Sequence, residues 1–271
     1  MRFAFFVGCQ LPVQTPELEP LARAIFSRLG VALVDMPFGC CGYPARRFSA
    51  EDHIALAARA FALAATQDIP ILALCQCCYG SLSHARAILL RNEKLRSFLA
   101  SRLAREGLRL NLPVVKHFLE VLGRDIGPAA IARMVVKPHT GLSVAAHYGC
   151  HGLRPSDTVS LDNPHAPTLL EKLLAAIGAT PVDYPRRLEC CGAPLTIQSL
   201  EMADRIRDTM LSSAAEAGAS ALVTVCPHCH HFFGNRGPVR SLPYLELLGT
   251  ALGLPHVSID SRDYDDTPAL D

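Results

Sequence analysis

The chain has 271 residues, of which 50% are hydrophobic and 19% charged, with a net charge of +1 and eleven cysteines. So balanced and dispersed a charge offers no field to nucleic acid, which excludes nucleic-acid partners, and no apolar run reaches the roughly 18 residues of a spanning helix. The apolar start is too short for a secretory signal, so the expected location is the cytoplasm, where thiols stay reduced and serve metals or redox chemistry.

Residues 3–7 predict a strand that ends at Gly8 and Cys9. Residues 17–29 carry Leu18, Leu21, Ala22, Ile25 and Leu29 at helical spacing and stop at Gly30. A second strand is expected over 31–36, and Pro37, Gly39 and Gly42 mark the loop that holds Cys40 and Cys41. A helix over 51–66 and a third strand over 69–74 follow, the latter running into Cys75.

The second half repeats the order. A strand at 143–148 leads to Cys150, a helix at 168–177 follows, and a strand at 181–184 precedes Cys190 and Cys191. A helix over 197–217 and a strand over 221–225 then lead to Cys226. The tails agree as well, with a Phe-Leu-Glu-Val-Leu-Gly run ending at Gly123 and a Tyr-Leu-Glu-Leu-Leu-Gly run ending at Gly249. The expected fold is α/β, two duplicated units spanning 1–136 and 137–271, each a small parallel sheet flanked by helices, with the join between Gly127 and Gly141. The acidic end, 260–271, reads as a solvated tail.

Five cysteines occupy matching places in each half: Cys9, Cys40, Cys41, Cys75 and Cys78, then Cys150, Cys190, Cys191, Cys226 and Cys229. The interval from Cys41 to Cys75 is 34 positions and that from Cys191 to Cys226 is 35, each opening a C-x-x-C. All lie just past strand carboxyl ends, the edge where open α/β sheets place ligands. A structural zinc site closes with four ligands and a cubane cluster also takes four cysteines, so five thiols per half fit a larger or more open assembly. Zinc in one or both pockets is the alternative, because soft thiolates suit either metal. His147, His151, His228, His230 and His231 surround the second group and read as supporting or surface residues. Cys77, the leftover cysteine, is assigned a packing role, and Cys78 is assigned as the ligand.

Gly39-Cys-Cys-Gly42, Cys75-Gln-Cys-Cys78 and Tyr79-Gly-Ser-Leu82 resemble the B-subunit of heterodisulfide reductase, whose repeated unit is the CCG domain. So do His147-Tyr-Gly-Cys-His151, Glu189-Cys-Cys-Gly-Ala193 and Cys226-Pro-His-Cys229, and the likeness covers nearly the whole chain. It implies two non-cubane [4Fe-4S] clusters, one on each set of five cysteines, with a disulfide or thiol substrate between them. No ferredoxin cysteine run is present, so the resemblance points to a ferredoxin-like C-subunit and a flavin-bearing A-subunit as partners. A protein-bound lipoyl group is a candidate substrate. Arg46, Arg47, Arg186 and Arg187 lie near the cysteine pairs and could anchor an anion, with a solvated loop as the alternative. Two other functions compete with disulfide chemistry: an iron-sulfur electron-transfer component of a lactate, glycolate or succinate oxidase, and a zinc-binding assembly module.

Overall fold

The computed structural model describes residues 1–255, and the acidic segment 260–271 lies outside them. Each half builds one four-stranded parallel sheet. The first contains β1 (Arg2–Phe6), β2 (Ala32–Asp35), β3 (Ile71–Ala73) and β4 (Val115–His117), in the order β2-β1-β3-β4. The second contains β5 (Ser143–His147), β6 (Thr180–Val182), β7 (Ala221–Thr224) and β8 (Arg240–Pro243), in the order β6-β5-β7-β8. The interior strands are near-continuous apolar runs because helices cover both of their faces. Phe3, Ala4, Phe5 and Phe6 of β1 are all buried, as are the four residues of β7.

The three strands read from each half are present, each ending one or two residues before the expected bound, with β1 and β6 beginning one residue earlier than expected. The fourth strand of each sheet is an addition. β4 and β8 are three and four residues long and polar in part, so neither carries the apolar run that marks the others. Each leads directly into one of the two similar tails, as the helix Phe118–Glu120 and the helix Tyr244–Ala251.

In both sheets the chain leaves the first strand for one side and then crosses to the other. That reversal opens a crevice at the carboxyl ends, where the cysteines lie. The helices Ala50–Ala65 and Leu200–Glu216 start alike, with Ser49 Oγ accepting from the Asp52 N–H at 3.0 Å and Ser199 Oγ from the Met202 N–H at 3.2 Å. Among the described residues no helix is long and apolar enough to cross a membrane.

The halves interlock through matching contacts. The helix Leu18–Arg28 packs on the helix Tyr244–Ala251, and a Cβ on Gly249 would stand 2.6 Å from Leu21 Cδ1. A Cβ on Gly123, the equivalent glycine of the first tail, would clash with Leu169 Cδ1 of the second half. One hydrophobic core therefore runs through both sheets, from Phe3 to Leu252.

A third close approach lies nearer the cysteines. Gly80, in the helix Gln76–Arg91, faces the loop after β5, and a Cβ there would sit 2.7 Å from the His151 carbonyl oxygen and 3.0 Å from His151 Cβ. Alanine would gain about 1 kcal/mol of helix propensity, but the clash with fixed backbone costs about 1–3 kcal/mol. The clash wins, so Gly80→Ala is expected to lower the urea midpoint without changing the slope of the transition. A midpoint at or above that of the parent protein would mean the two halves do not press together at this point.

Candidate metal centre

Local structure explains where each cysteine sits. Cys9 and Cys150 follow β1 and β5 in short loops. Cys40 and Cys41 sit in the loop after β2, where Gly42 at φ +83° turns its N–H toward Cys40 Sγ at 3.4 Å. A Cβ on Gly42 would lie 2.7 Å from the His53 carbonyl oxygen, so only glycine lets the loop pass so close. His53 Nε2 donates to Ser81 Oγ at 2.8 Å, and Ser81 Oγ donates to the Cys41 carbonyl oxygen at 2.9 Å, which ties the loop to the helix Gln76–Arg91. Cys75 and Cys226 cap the helices Gln76–Arg91 and Pro227–Phe233, and Cys78 and Cys229 stand in the first turns. Helix N-termini favour thiolate over thiol.

The ten cysteines form two chains of sulfur contacts with the same order. In the first half Cys9 Sγ lies 3.8 Å from Cys40 Sγ. The Cys41 thiol meets Cys40 and Cys78, and Cys78 meets Cys75. In the second half Cys150 Sγ lies 3.8 Å from Cys190 Sγ. Cys190 meets Cys191, Cys191 meets Cys229, and Cys229 meets Cys226. The two chains touch at their equivalent ends, with Cys75 Sγ 3.8 Å from Cys226 Sγ. Cys9, Cys40, Cys150 and Cys190 lie toward the solvent, and the other six are buried.

So dense a packing distributes protons unequally. Hydrogen bonds from Cys40 and Cys78 pull the Cys41 thiol down to about 3, and those from Cys150 and Cys191 pull Cys190 down to about 2. Cys226 is held well below the ordinary thiol range by Cys229, Cys75 and Cys77. Their neighbours are pushed up in turn, Cys78 by Cys41 and Cys75, and Cys229 by Cys191 and Cys226. These are the polarised, partly deprotonated sulfur sets from which metal displaces the remaining protons.

Cys77 is buried, as a packing residue would be, but its thiol stands at the junction of the halves. It meets Cys226 and Cys75, and the three sulfurs lie within 4.8 Å of one another. His151 Nδ1 is 3.5 Å from Cys77 Sγ and 3.8 Å from Cys150 Sγ, and Tyr43 packs edge-on against the His151 ring at 4.8 Å. Beside this group opens a cleft of about 620 Å³, walled by Arg46, Cys150, His151, Arg154 and His165.

The other histidines and arginines separate by surroundings. His147 is buried, burial lowers its pKa to about 4, and neither ring nitrogen has a hydrogen-bond partner. His230 bonds Ser241 Oγ through Nδ1 at 3.0 Å, while His231 is exposed. Arg186 pairs with Glu189 at 2.7 Å and Arg187 with Glu171 at 3.0 Å, so both are engaged within the fold. Arg47 Nη2 donates to the Pro194 carbonyl oxygen at 3.0 Å, bridging the loops of the two cysteine pairs, and Arg46 faces the cleft.

Gln76 lies between two motif cysteines, and no spacing rule marks it as a functional residue. Its side chain is 1% exposed, crosses from the first half into the second and leaves both amide atoms without a partner. The amide lies against Gly149 and Gly152, where a Cβ would come within 2.5 Å of Oε1 and 2.7 Å of Nε2. Gly8 is equally confined, since a Cβ there would stand 2.9 Å from Cys78 Sγ. A pocket of ten sulfurs with small residues at its walls and buried polar groups aimed at it without a partner fits a sulfur-rich metal assembly.

The cysteine-rich domain family named CCG matches the chain twice, over residues 3–83 and 144–234. The chain is 31% identical over 269 residues to the B-subunit of the ferredoxin/F(420)H(2)-dependent CoB-CoM heterodisulfide reductase of Methanosarcina acetivorans, covering 93% of this chain and 89% of the relative. It is 30% identical over 273 residues to the B-subunit of the ferredoxin:CoB-CoM heterodisulfide reductase of Methanosarcina mazei, again covering 93% and 89%. A third relative, 31% identical over 272 residues and covering 94% and 93%, is the "8-methylmenaquinol:fumarate reductase membrane anchor subunit" of Wolinella succinogenes. Among solved structures, a hypothetical protein from Helicobacter pylori shares the fold at a TM-score of 0.73 and 15% identity; the match takes in 94% of this chain and about half, 49%, of that one. With the CCG unit present twice and the likeness running nearly end to end, this chain belongs to the heterodisulfide reductase B-subunit family of duplicated cysteine-rich-domain proteins.

Proposed function

We propose that this chain is the catalytic component of a cytoplasmic complex of the heterodisulfide reductase type, in which units 1–136 and 137–271 each hold a non-cubane [4Fe-4S] cluster. Cys9, Cys40, Cys41, Cys75 and Cys78 would hold one, and Cys150, Cys190, Cys191, Cys226 and Cys229 the other. The observation that carries the reading is the 3.8 Å contact between Cys75 Sγ and Cys226 Sγ, which brings two complete five-thiol sets together beside an open cleft. When bound, such clusters supply electrons one at a time and iron for which a sulfur can be a ligand. Splitting a disulfide consumes two electrons and two protons and yields two thiols, so paired one-electron sites match the stoichiometry. The same site can take thiols or sulfane sulfur in the oxidising direction.

The chain's own residues would bind, orient and supply protons. Arg46 and Arg154 give the cleft a cationic wall for an anionic thiol or disulfide. His151, kept neutral by burial, can hold a proton at Nδ1 between Cys77 and Cys150, where a product thiolate would need one. Electrons would come from a ferredoxin-like C-subunit and a flavin-bearing A-subunit. Two of the relatives carry ferredoxin in their names, which supports a ferredoxin-type electron source.

Anaerobic purification followed by iron, zinc and acid-labile sulfide determination tests the cofactor. About eight irons per chain are expected from two four-iron clusters, and a zinc-only preparation would end the redox reading. EPR with and without a thiol substrate tests the chemistry. A thiol-dependent paramagnetic signal is expected, whereas clusters that reduce normally but ignore every thiol would leave an electron-transfer role alone.

Ligand assignment is tested by truncation. Cys78→Ala is expected to lower the iron content by about half, to about four per chain, while Cys77→Ala keeps about eight. The reverse pattern, measured by the same metal analysis, would make Cys77 the ligand.

A further inference from the structure

The two sulfur chains match position for position, but their surroundings do not. Three residues before Cys150 stands His147, whereas three before Cys9 stands Phe6. Immediately after Cys75 stands Gln76, whereas after Cys226 stands Pro227. Both departures place a polar side chain toward the second sulfur set. The equivalents on the first set are a phenyl ring and an imino acid, neither with a side-chain donor.

Each polar group is also stranded. His147 and Gln76 are each 1% exposed, and none of their four side-chain nitrogen and oxygen atoms has a partner. A buried polar group left unpaired loses its hydration and gains nothing in return, so two of them beside one site call for a hydrogen-bond partner from outside the polypeptide. The Gln76 amide and Cys229 Sγ converge on one glycine, since a Cβ at Gly149 would lie 2.5 Å from Gln76 Oε1 and 3.6 Å from Cys229 Sγ. An amide has donors at one end and an acceptor at the other, and nothing in the protein fixes which end faces the sulfurs. Acceptor-only sulfurs would select the NH₂ end. His147 lies close enough to Cys190 and Cys226 to feel their charge, and its ring edge meets Phe233 at 5.0 Å. A neutral imidazole carries one N–H for the same purpose.

Resting on the two-cluster reading above, we infer that Gln76 and His147 are positioning residues that donate hydrogen bonds to the second cluster's sulfurs and stabilise its reduced state selectively. Reduction adds negative charge, which an N–H donor stabilises, so such bonds raise the reduction potential. Gln76 makes the effect cross the duplication: the first half's C-x-x-C segment tunes the second half's site. Two clusters on one repeated scaffold thereby come to differ as electron acceptors.

The test is an EPR-monitored redox titration of the full-length, anaerobically loaded protein, with Cys191→Ser used to identify the second cluster's signal. In Gln76→Leu and in His147→Phe, the reduced-to-oxidised ratio of the second cluster at fixed poise is expected to fall on the order of tenfold, the equivalent of one hydrogen bond to a charged acceptor. The first cluster's ratio stays unchanged. His147→Gln, which restores a donor, returns the ratio toward the parent value. Full iron content with neither cluster shifted, or with both shifted equally, overturns the inference. A parent protein without iron and sulfide overturns the cluster reading itself, which metal analysis detects before any titration.

Discussion

Ten thiols gathered in two sets, with sulfur contacts of 3.8 Å, pose an electrostatic problem that the rest of the molecule is arranged around. Two unit charges about 4 Å apart repel by about 4 kcal/mol at the effective dielectric of a protein surface. Each set has four sulfur contacts along its chain, so full ionisation would cost about 16 kcal/mol, at or above the whole stability of a typical domain, about 5–15 kcal/mol. The bare sets must therefore keep protons, shared as the depressed Cys41, Cys190 and Cys226 and their raised neighbours show. A polycationic metal assembly removes the conflict, and helix N-termini at Cys75 and Cys226 assist it.

Holding the sulfurs against that repulsion takes rigid supports. Four-stranded parallel sheets supply them, because strands buried on both faces cannot shift without disturbing packed side chains. The matching contacts of Leu21 with Gly249 and Leu169 with Gly123 then fix one sheet against the other. Each half lends a helix to the other's tail, so neither cysteine set can withdraw independently. Gly80 against His151 repeats the device beside the sulfurs themselves, where helix and loop approach too closely for any side chain.

What the sequence discloses depends on how local the determinant is. The interior strands are legible because residues such as Phe3, Ala4, Phe5 and Phe6 form an unbroken apolar run, and the cysteines are legible because their spacing repeats. β4 and β8 are not, since Val115–His117 and Arg240–Pro243 are short, partly polar and held by pairing to β3 and β7 more than by any pattern of their own. The contact of Cys75 with Cys226 joins positions 151 apart, and no spacing rule reaches it. Cys77 reads as packing because burial is the commonest fate of a free cysteine. Its place among Cys75, Cys226 and His151 follows from how the halves meet.

Duplication gives two sites the same ligands but leaves every other position free to diverge, and four of the differing positions lie around the sulfurs. The first set has His53 and Ser81 bracing the Cys41 loop, whereas the second has Ala203 and Phe232 at those positions. The second set has His147 and the intruding Gln76, whereas the first has Phe6 and Pro227. One site is thus braced through its backbone and the other is supplied with side-chain donors. Identical sites would offer electrons no preferred order, whereas a reaction on two sulfur atoms ends with each atom in a different place. In the proposed reaction, unequal surroundings on an equal scaffold would give the two sulfurs of one substrate distinguishable destinations, which a symmetric pair could not.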